Sequence, residues 1–196
     1  MMRSGAKMHL TGFMLYCPAP HMIMSWVYPE EKMDAGKWYD VEYWANIART
    51  LERGKFDMLF FADGWAGGVN APGIKYAIQF PTQDPTVLVP YLSAVAPKLS
   101  YAITMSTTFY EPYMLARKMS TLDHITKGKI GWNIVCSISS GEAKNFGMDE
   151  LPPARSALRP RRRVLGGLSQ AVEQLGARRA PDGHGEQDLR RSGQDP

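Results

Sequence analysis

Asp63 closes the apolar run FDMLFFA, Thr104 and Ser106 lie two residues apart in LSYAITMST, and Asn133 and Ser137 stand within and after the run KIGWNIVC. A carboxylate, an amide and three hydroxyls exchange hydrogen bonds, which suits them to orienting a polar ligand. Thr104 and Ser106 share one face, because side chains alternate along a strand. Each residue also has a structural reading. Asp63 precedes Gly64, and Asp-Gly is a common turn pair. Thr104 is a β-branched residue of the kind strands favour. A buried Asn133 needs partners whether it serves a ligand or the core.

Covalent and metal chemistry find less support. Cys17 and His21 are nucleophile and base types, but the span between them crosses Pro18 and Pro20 and fixes no geometry. Cys136 reads as a buried, inert thiol, and His124 as a residue that caps or packs a helix. Two cysteines make neither a disulfide framework nor a four-ligand zinc site, so no metal is expected. Gly67 and Gly68 sit in a loop without the lysine and hydroxyl residue of a phosphate loop. No catalytic residue is assigned.

The elements that must position these groups alternate between strand and helix. His9 to Leu15 reads as a first strand, ended by the breaker Cys17-Pro18-Ala19-Pro20. Asp40 to Arg53 carries Trp44, Ile47, Ala48 and Leu51 at helical spacing, with Gly54 as its stop. Phe56 to Ala62 is a strand buried on both faces, and a Gly- and Pro-rich stretch from Trp65 to Pro81 follows. Asp84 caps a helix that has Pro85 at its first position and runs to Ala96. Leu99 to Thr107 is a third strand. Pro112 to Lys127 is a third helix, with Leu115, Met119, Leu122 and Ile125 on one face and Gly128 as its stop. Lys129 to Ser137 is a fourth strand. This is an α/β pattern with a parallel sheet, either doubly wound or a (β/α)8 barrel. The lack of G-x-G-x-x-G after the first strand favours the barrel, where strand C-terminal ends hold the site. Those ends are Cys17 with His21, Asp63-Gly64, Thr104 to Thr108, and Asn133 to Ser137. Only four of eight strands are counted, and a barrel takes about 250 residues.

The 196 residues carry 44% hydrophobic and 21% charged side chains, an ordinary globular balance. No apolar run is long enough to span a membrane. The start shows no secretory cleavage pattern, so a cytoplasmic protein is expected. The net charge of +4 belongs to the last segment. Residues 154–196 contain nine Arg, no Lys and five acids, whereas residues 1–153 are neutral. That segment has no aromatic residue. Beyond a short helix-like piece from Val164 to Leu175, it reads as disordered. Taken at face value, Arg155, Arg159, Arg161, Arg162 and Arg163 form a basic arm for nucleic acid or anionic membranes. The neutral body and the lack of aromatics for base stacking argue against that reading, and no nucleic-acid or membrane partner is expected.

The segments MHLTGF, WANIARTLERGKFDMLFFADG, QDPTVLVPYLSAVAPKL, TMSTTFYEPYMLARKMSTLDHITKGKIGWNIVCS and EAKNFGMDELPP run from Met8 to Pro153. Over that range the chain resembles the bacterial-luciferase-like FMN-dependent monooxygenases. Within them it is similar to the branch of nitrilotriacetate monooxygenase, pristinamycin synthase and dibenzothiophene-sulfone monooxygenase. The resemblance implies residues 1–153 as the N-terminal half of a (β/α)8 TIM barrel. It stops at Pro153. Back-translated one base out of frame, the residues from Ala154 onward permit HEARYDRADEFLEA, which resembles the family's continuation. Residues 154–196 are therefore expected to be an out-of-frame, non-native tail.

The resemblance implies reduced FMN (FMNH2) as cofactor, an NAD(P)H-dependent flavin reductase that supplies it, and O2 with a small organic substrate as reactants. It also implies homo-oligomers for full-length relatives. Asp63 and Thr104 match flavin-contact positions, with Ser106, Asn133 and Ser137 as further cofactor-binding candidates. Cys136 stands where relatives often have Thr, and Cys17 stands near a position where some have a cysteine lining the substrate pocket. The family's next flavin contacts fall beyond Pro153, so a truncated, inactive fragment is the expected state. A non-catalytic half-barrel is the alternative.

Overall fold

Local capping sets where the helices begin. The Asp40 carboxylate accepts from the backbone N–H of Glu42 at 2.9 Å, and helix α1 runs Val41–Arg53. The Asp84 carboxylate accepts from the N–H of Thr86 at 2.8 Å, and α2 runs Pro85–Val95 with its proline in the first turn, where the missing N–H costs nothing. Helix α3 spans Pro112–Ile125 and α4 spans Ser140–Asn145. The computed structural model describes residues 7–18, 37–65, 79–137 and 139–151. The expectations for His21, Gly67, Gly68, most of the Trp65–Pro81 stretch, the Val164–Leu175 segment and the whole 154–196 tail lie outside the described residues.

The strands are β1 Thr11–Leu15, β2 Met58–Ala62, β3 Ser100–Ser106 and β4 Ile130–Val135. Each is two or three residues shorter than its apolar run. All neighbours are parallel, and the order is β1-β2-β3-β4. A doubly wound sheet reverses its strand order at a switch point. Among the described strands there is no reversal, so the barrel alternative is the one observed.

The register carries the alternation across the sheet. Leu59, Phe61, Tyr101, Ile103 and Met105 face the helices and meet Trp44, Val89, Leu92, Leu115 and Met119 in one core. Fully burying such a side chain contributes about 1.5–3 kcal/mol. The opposite face carries Phe13, Phe60, Ala102, Thr104, Gly131 and Asn133. There Phe13 stacks on Phe60 with ring centroids 4.9 Å apart.

Three expectations need correction. Strand β2 is buried on its helix-facing side alone, through Leu59 and Phe61, while Met58, Phe60 and Ala62 on the other face are half-buried. Ile125 does not join the buried face of α3: Leu115, Met119 and Leu122 are buried, but Ile125 sits in the last turn, 46% exposed. That helix ends at Thr126, before the predicted Lys127, because Lys127 takes a positive φ of 57° and Gly128 one of 80°. Helix α4 has no counterpart among the elements expected from the sequence.

Candidate functional site

The C-terminal ends of β2, β3 and β4 open on one side of the sheet. At the end of β2 the half-buried Asp63 accepts from the Gly64 N–H at 2.8 Å and from the Trp65 indole N–H at 3.2 Å. Burial pushes its carboxyl up to about 6, and the negative charges of Asp84 and Glu142 add to that. The two hydrogen bonds act in the opposite sense but do not cancel burial. Asp63 thus bonds the Gly64 N–H next to it in the chain and also faces the cleft with a raised carboxyl.

On β3 and β4 the sheet register brings Thr104 opposite Asn133. The Asn133 amide donates to the Thr104 hydroxyl oxygen at 2.9 Å, and Thr104 is only 5% exposed. One step further along, the Ser137 hydroxyl donates to Ser106 Oγ at 2.9 Å. The Thr108 N–H donates to the same oxygen at 3.1 Å, and the Ser137 N–H to Thr108 Oγ1 at 3.0 Å. Four of the five predicted binding residues therefore meet as two cross-strand pairs. Asp63 stands apart from them at the neighbouring strand end.

A cleft of about 300 Å³ lies beside Asp63, walled by Trp65, Phe80, Gln83, Asp84 and Asn145 among others. Behind Trp65 the rings of Phe109, Tyr110 and Phe146 gather, with Phe109 stacked on Phe146 at 4.2 Å. Lys118 of α3 lies 3.6 Å from the Asp84 carboxylate and donates to Tyr110 Oη at 3.3 Å and Thr86 Oγ1 at 3.4 Å.

Residues that the sequence reading passed over complete the site. Glu142 of α4 accepts from the Trp65 backbone N–H at 3.1 Å with one oxygen. Its other oxygen accepts from the Ser139 N–H at 3.4 Å, within a capping box. The Asn145 amide donates to the Trp65 carbonyl. The Ser139-x-x-Glu142 spacing is the signal that could have revealed this helix.

The remaining candidates lie outside these pairs, and two depart from expectation: Cys136 is half-buried rather than buried, and the His124 side chain is exposed rather than packed. Cys17 is fully buried, and half-buried Cys136 has its sulfur 3.5 Å from the Thr107 hydroxyl. His124 is exposed in the last turn of α3, where its carbonyl accepts from the Lys127 N–H at 3.2 Å. Among the described residues no group of three metal-ligating side chains exists, and no helix is long and apolar enough to cross a membrane.

Comparison with known proteins gives four results in one direction. Residues 21–191 match a family model described as luciferase-like monooxygenase, a match that extends beyond Pro153. The chain is 38% identical over 152 residues to the long-chain alkane monooxygenase of Geobacillus thermodenitrificans, which covers 74% of this chain and 34% of that protein. It is 35% identical to nitrilotriacetate monooxygenase component A of Aminobacter aminovorans, covering 76% of this chain and 34% of that protein. A crystal structure of riboflavin lyase with modified FMN and riboflavin superposes with a TM-score of 0.73 at 25% identity, covering 83% of this chain and 37% of that one. The chain thus spans about a third of the length of the relatives it matches.

Proposed function

The chain belongs to the luciferase-like monooxygenases, and on that premise we propose that it carries the flavin-facing part of a two-component enzyme that uses FMNH2 and O2 to oxygenate a small organic substrate. Its fold is accordingly the N-terminal part of a TIM barrel, and the family is one of flavin-dependent oxidoreductases. The observation that carries the proposal is the cross-strand pair Thr104–Asn133 near the C-terminal ends of β3 and β4, with the raised carboxyl of Asp63 at the end of neighbouring β2, the strand ends where barrels hold their ligands.

The donor set fits a flavin. Because the Thr104 oxygen already accepts from Asn133, its hydroxyl proton remains to be donated to a ring or ribityl oxygen. The Asn133 carbonyl oxygen and the Asp63 carboxylate accept from ring N–H or ribityl O–H groups. Ser106 and Ser137 supply hydroxyls one step further along the same strands. Trp65, backed by Phe109, Tyr110 and Phe146, gives one side of the cleft an apolar wall. When bound, the reduced flavin supplies two electrons to O2, so that one oxygen atom enters the substrate and the other leaves as water. A separate NAD(P)H-dependent reductase is the partner this reading requires, in keeping with the component name of one relative.

The test is FMN binding by the 196-residue chain, read by quenching of flavin fluorescence and repeated with chemically reduced FMN by ultrafiltration. Saturable binding that weakens in Asp63→Asn and again in Thr104→Val is expected. Binding of equal strength in wild type and both variants, or none in wild type, would overturn the reading.

A further inference from the structure

Trp65 is held from both sides of its peptide by one short helix. Its N–H donates to Glu142 at 3.1 Å and its carbonyl accepts from the Asn145 amide, 77 and 80 residues away in sequence. Glu142 and Asn145 are three apart on α4 and so lie on one helix face. The helix is anchored in turn by its capping box at Ser139 and by Phe146, whose ring packs on Trp65 at 5.0 Å and on Phe109 at 4.2 Å. The indole N–H of Trp65 then reaches the Asp63 carboxylate at 3.2 Å. A continuous chain of contacts thus runs from α4 to the group that faces the cleft.

We propose that Asn145, with Glu142, is a positioning residue: it holds Trp65 and, through the indole, aims the Asp63 carboxylate into the cleft. This rests on the flavin reading of that cleft. Both helix residues are exposed or half-exposed and neither belongs to the buried core; Glu142 also closes the capping box of its own helix, so Asn145 is the residue whose substitution probes the contact with Trp65 alone. The groups facing Asp63 are Asp84 at the start of α2, Glu142 on α4, and Tyr110 after β3 with Lys118 of α3 behind it. The Trp65 indole, 3.2 Å from the Asp63 carboxylate, is part of what buries it. Releasing the indole exposes the carboxylate, and lost burial outweighs the lost indole bond because burial is the largest contribution.

The test follows the Gly64 amide, which donates to Asp63 at 2.8 Å and therefore reports the ionisation of that carboxyl by NMR. In the wild-type chain its resonance is expected to inflect at about pH 6, and the inflection should vanish in Asp63→Asn. In Asn145→Ala, which favours the helix and removes the donor, the inflection should fall towards about 4, the ordinary value. FMN affinity should weaken about tenfold, the equivalent of one charge-assisted contact. Asn145→Gln keeps the donor and should restore much of both. An unchanged inflection in Asn145→Ala overturns the proposal, whatever happens to the melting temperature, and so does a shifted inflection with unchanged FMN affinity. If the wild-type chain binds no FMN while Asn145→Ala still moves the inflection, the contact chain stands and the flavin reading alone fails.

Discussion

The side-chain amide of Asn133 reaches across the β3–β4 ladder and donates to the Thr104 hydroxyl at 2.9 Å, so that neither polar group on this face lacks a partner. The pairing makes one residue's environment depend on the other's chemistry. Removing the oxygen strands a donor, whereas removing both groups leaves nothing unsatisfied.

Thr104→Val keeps the strand-favouring shape and deletes the acceptor. A loss of about 0.5–1.5 kcal/mol is expected in urea unfolding, the net worth of one hydrogen bond whose donor, on half-buried Asn133, water can still reach. In the double variant Thr104→Val/Asn133→Leu the two losses should not add, with a coupling of about 1 kcal/mol. Additive losses would show that the hydrogen bond carries no coupling.

Asp63 makes stability depend on pH in the sense opposite to that of most carboxylates. Its folded pKa of about 6 exceeds the ordinary value of 3.8. Its contribution is therefore fully present below about pH 4 and is lost as pH rises through 6. Asp63→Asn should match wild type most closely in acid and become the more stable protein by pH 7, by on the order of 2 kcal/mol. Thermal melts across about pH 4 to 7.5 measure this, and a gap that does not grow with pH would contradict it.

Asp84 has two separable duties, as the cap of α2 and as the carboxylate beside Lys118. Asp84→Asn keeps a good cap and loses only a partly exposed ion pair, so stability should change by under about 1 kcal/mol. Asp84→Ala loses the cap as well and should cost about 1 kcal/mol more. Urea unfolding of the two variants separates the duties. The Asn variant should also lower the pKa of Asp63, since one of the negative charges raising it is gone.

For residues 154–196 we propose an out-of-frame origin, on their composition and the family-like reading one base away, although the family-model match runs on to residue 191. Sequencing the coding DNA across the Pro153 codon should show a second frame that reads HEARYDRADEFLEA or a close variant. A gene in which that frame encodes nothing similar would end the proposal.

Much of the scaffold is legible in local chemistry. Asp40 and Asp84 cap the helices that their spacing predicts, Gly54 ends α1, and FDMLFFA becomes the inner strand β2. These signals act over a few residues, so a linear reading finds them. Helix α4 escapes because six residues give fewer than two turns of periodicity. Glu142 and Asn145 escape because their partner, Trp65, is close only after folding. The raised carboxyl of Asp63 is out of reach for the same reason, since its burial and the charges of Asp84 and Glu142 come from three different elements. Thr104 and Asn133 are legible singly, but their pairing depends on the register of β3 on β4.

Strand order that advances by one at each step bears on how the molecule is made. A chain leaving the ribosome presents each new strand to a template that has already emerged, so pairing can proceed in the order of synthesis with no strand waiting for a distant insertion. Every β-strand contact in the sheet then spans a single β-α-β crossover, which keeps loop closure short for a parallel architecture.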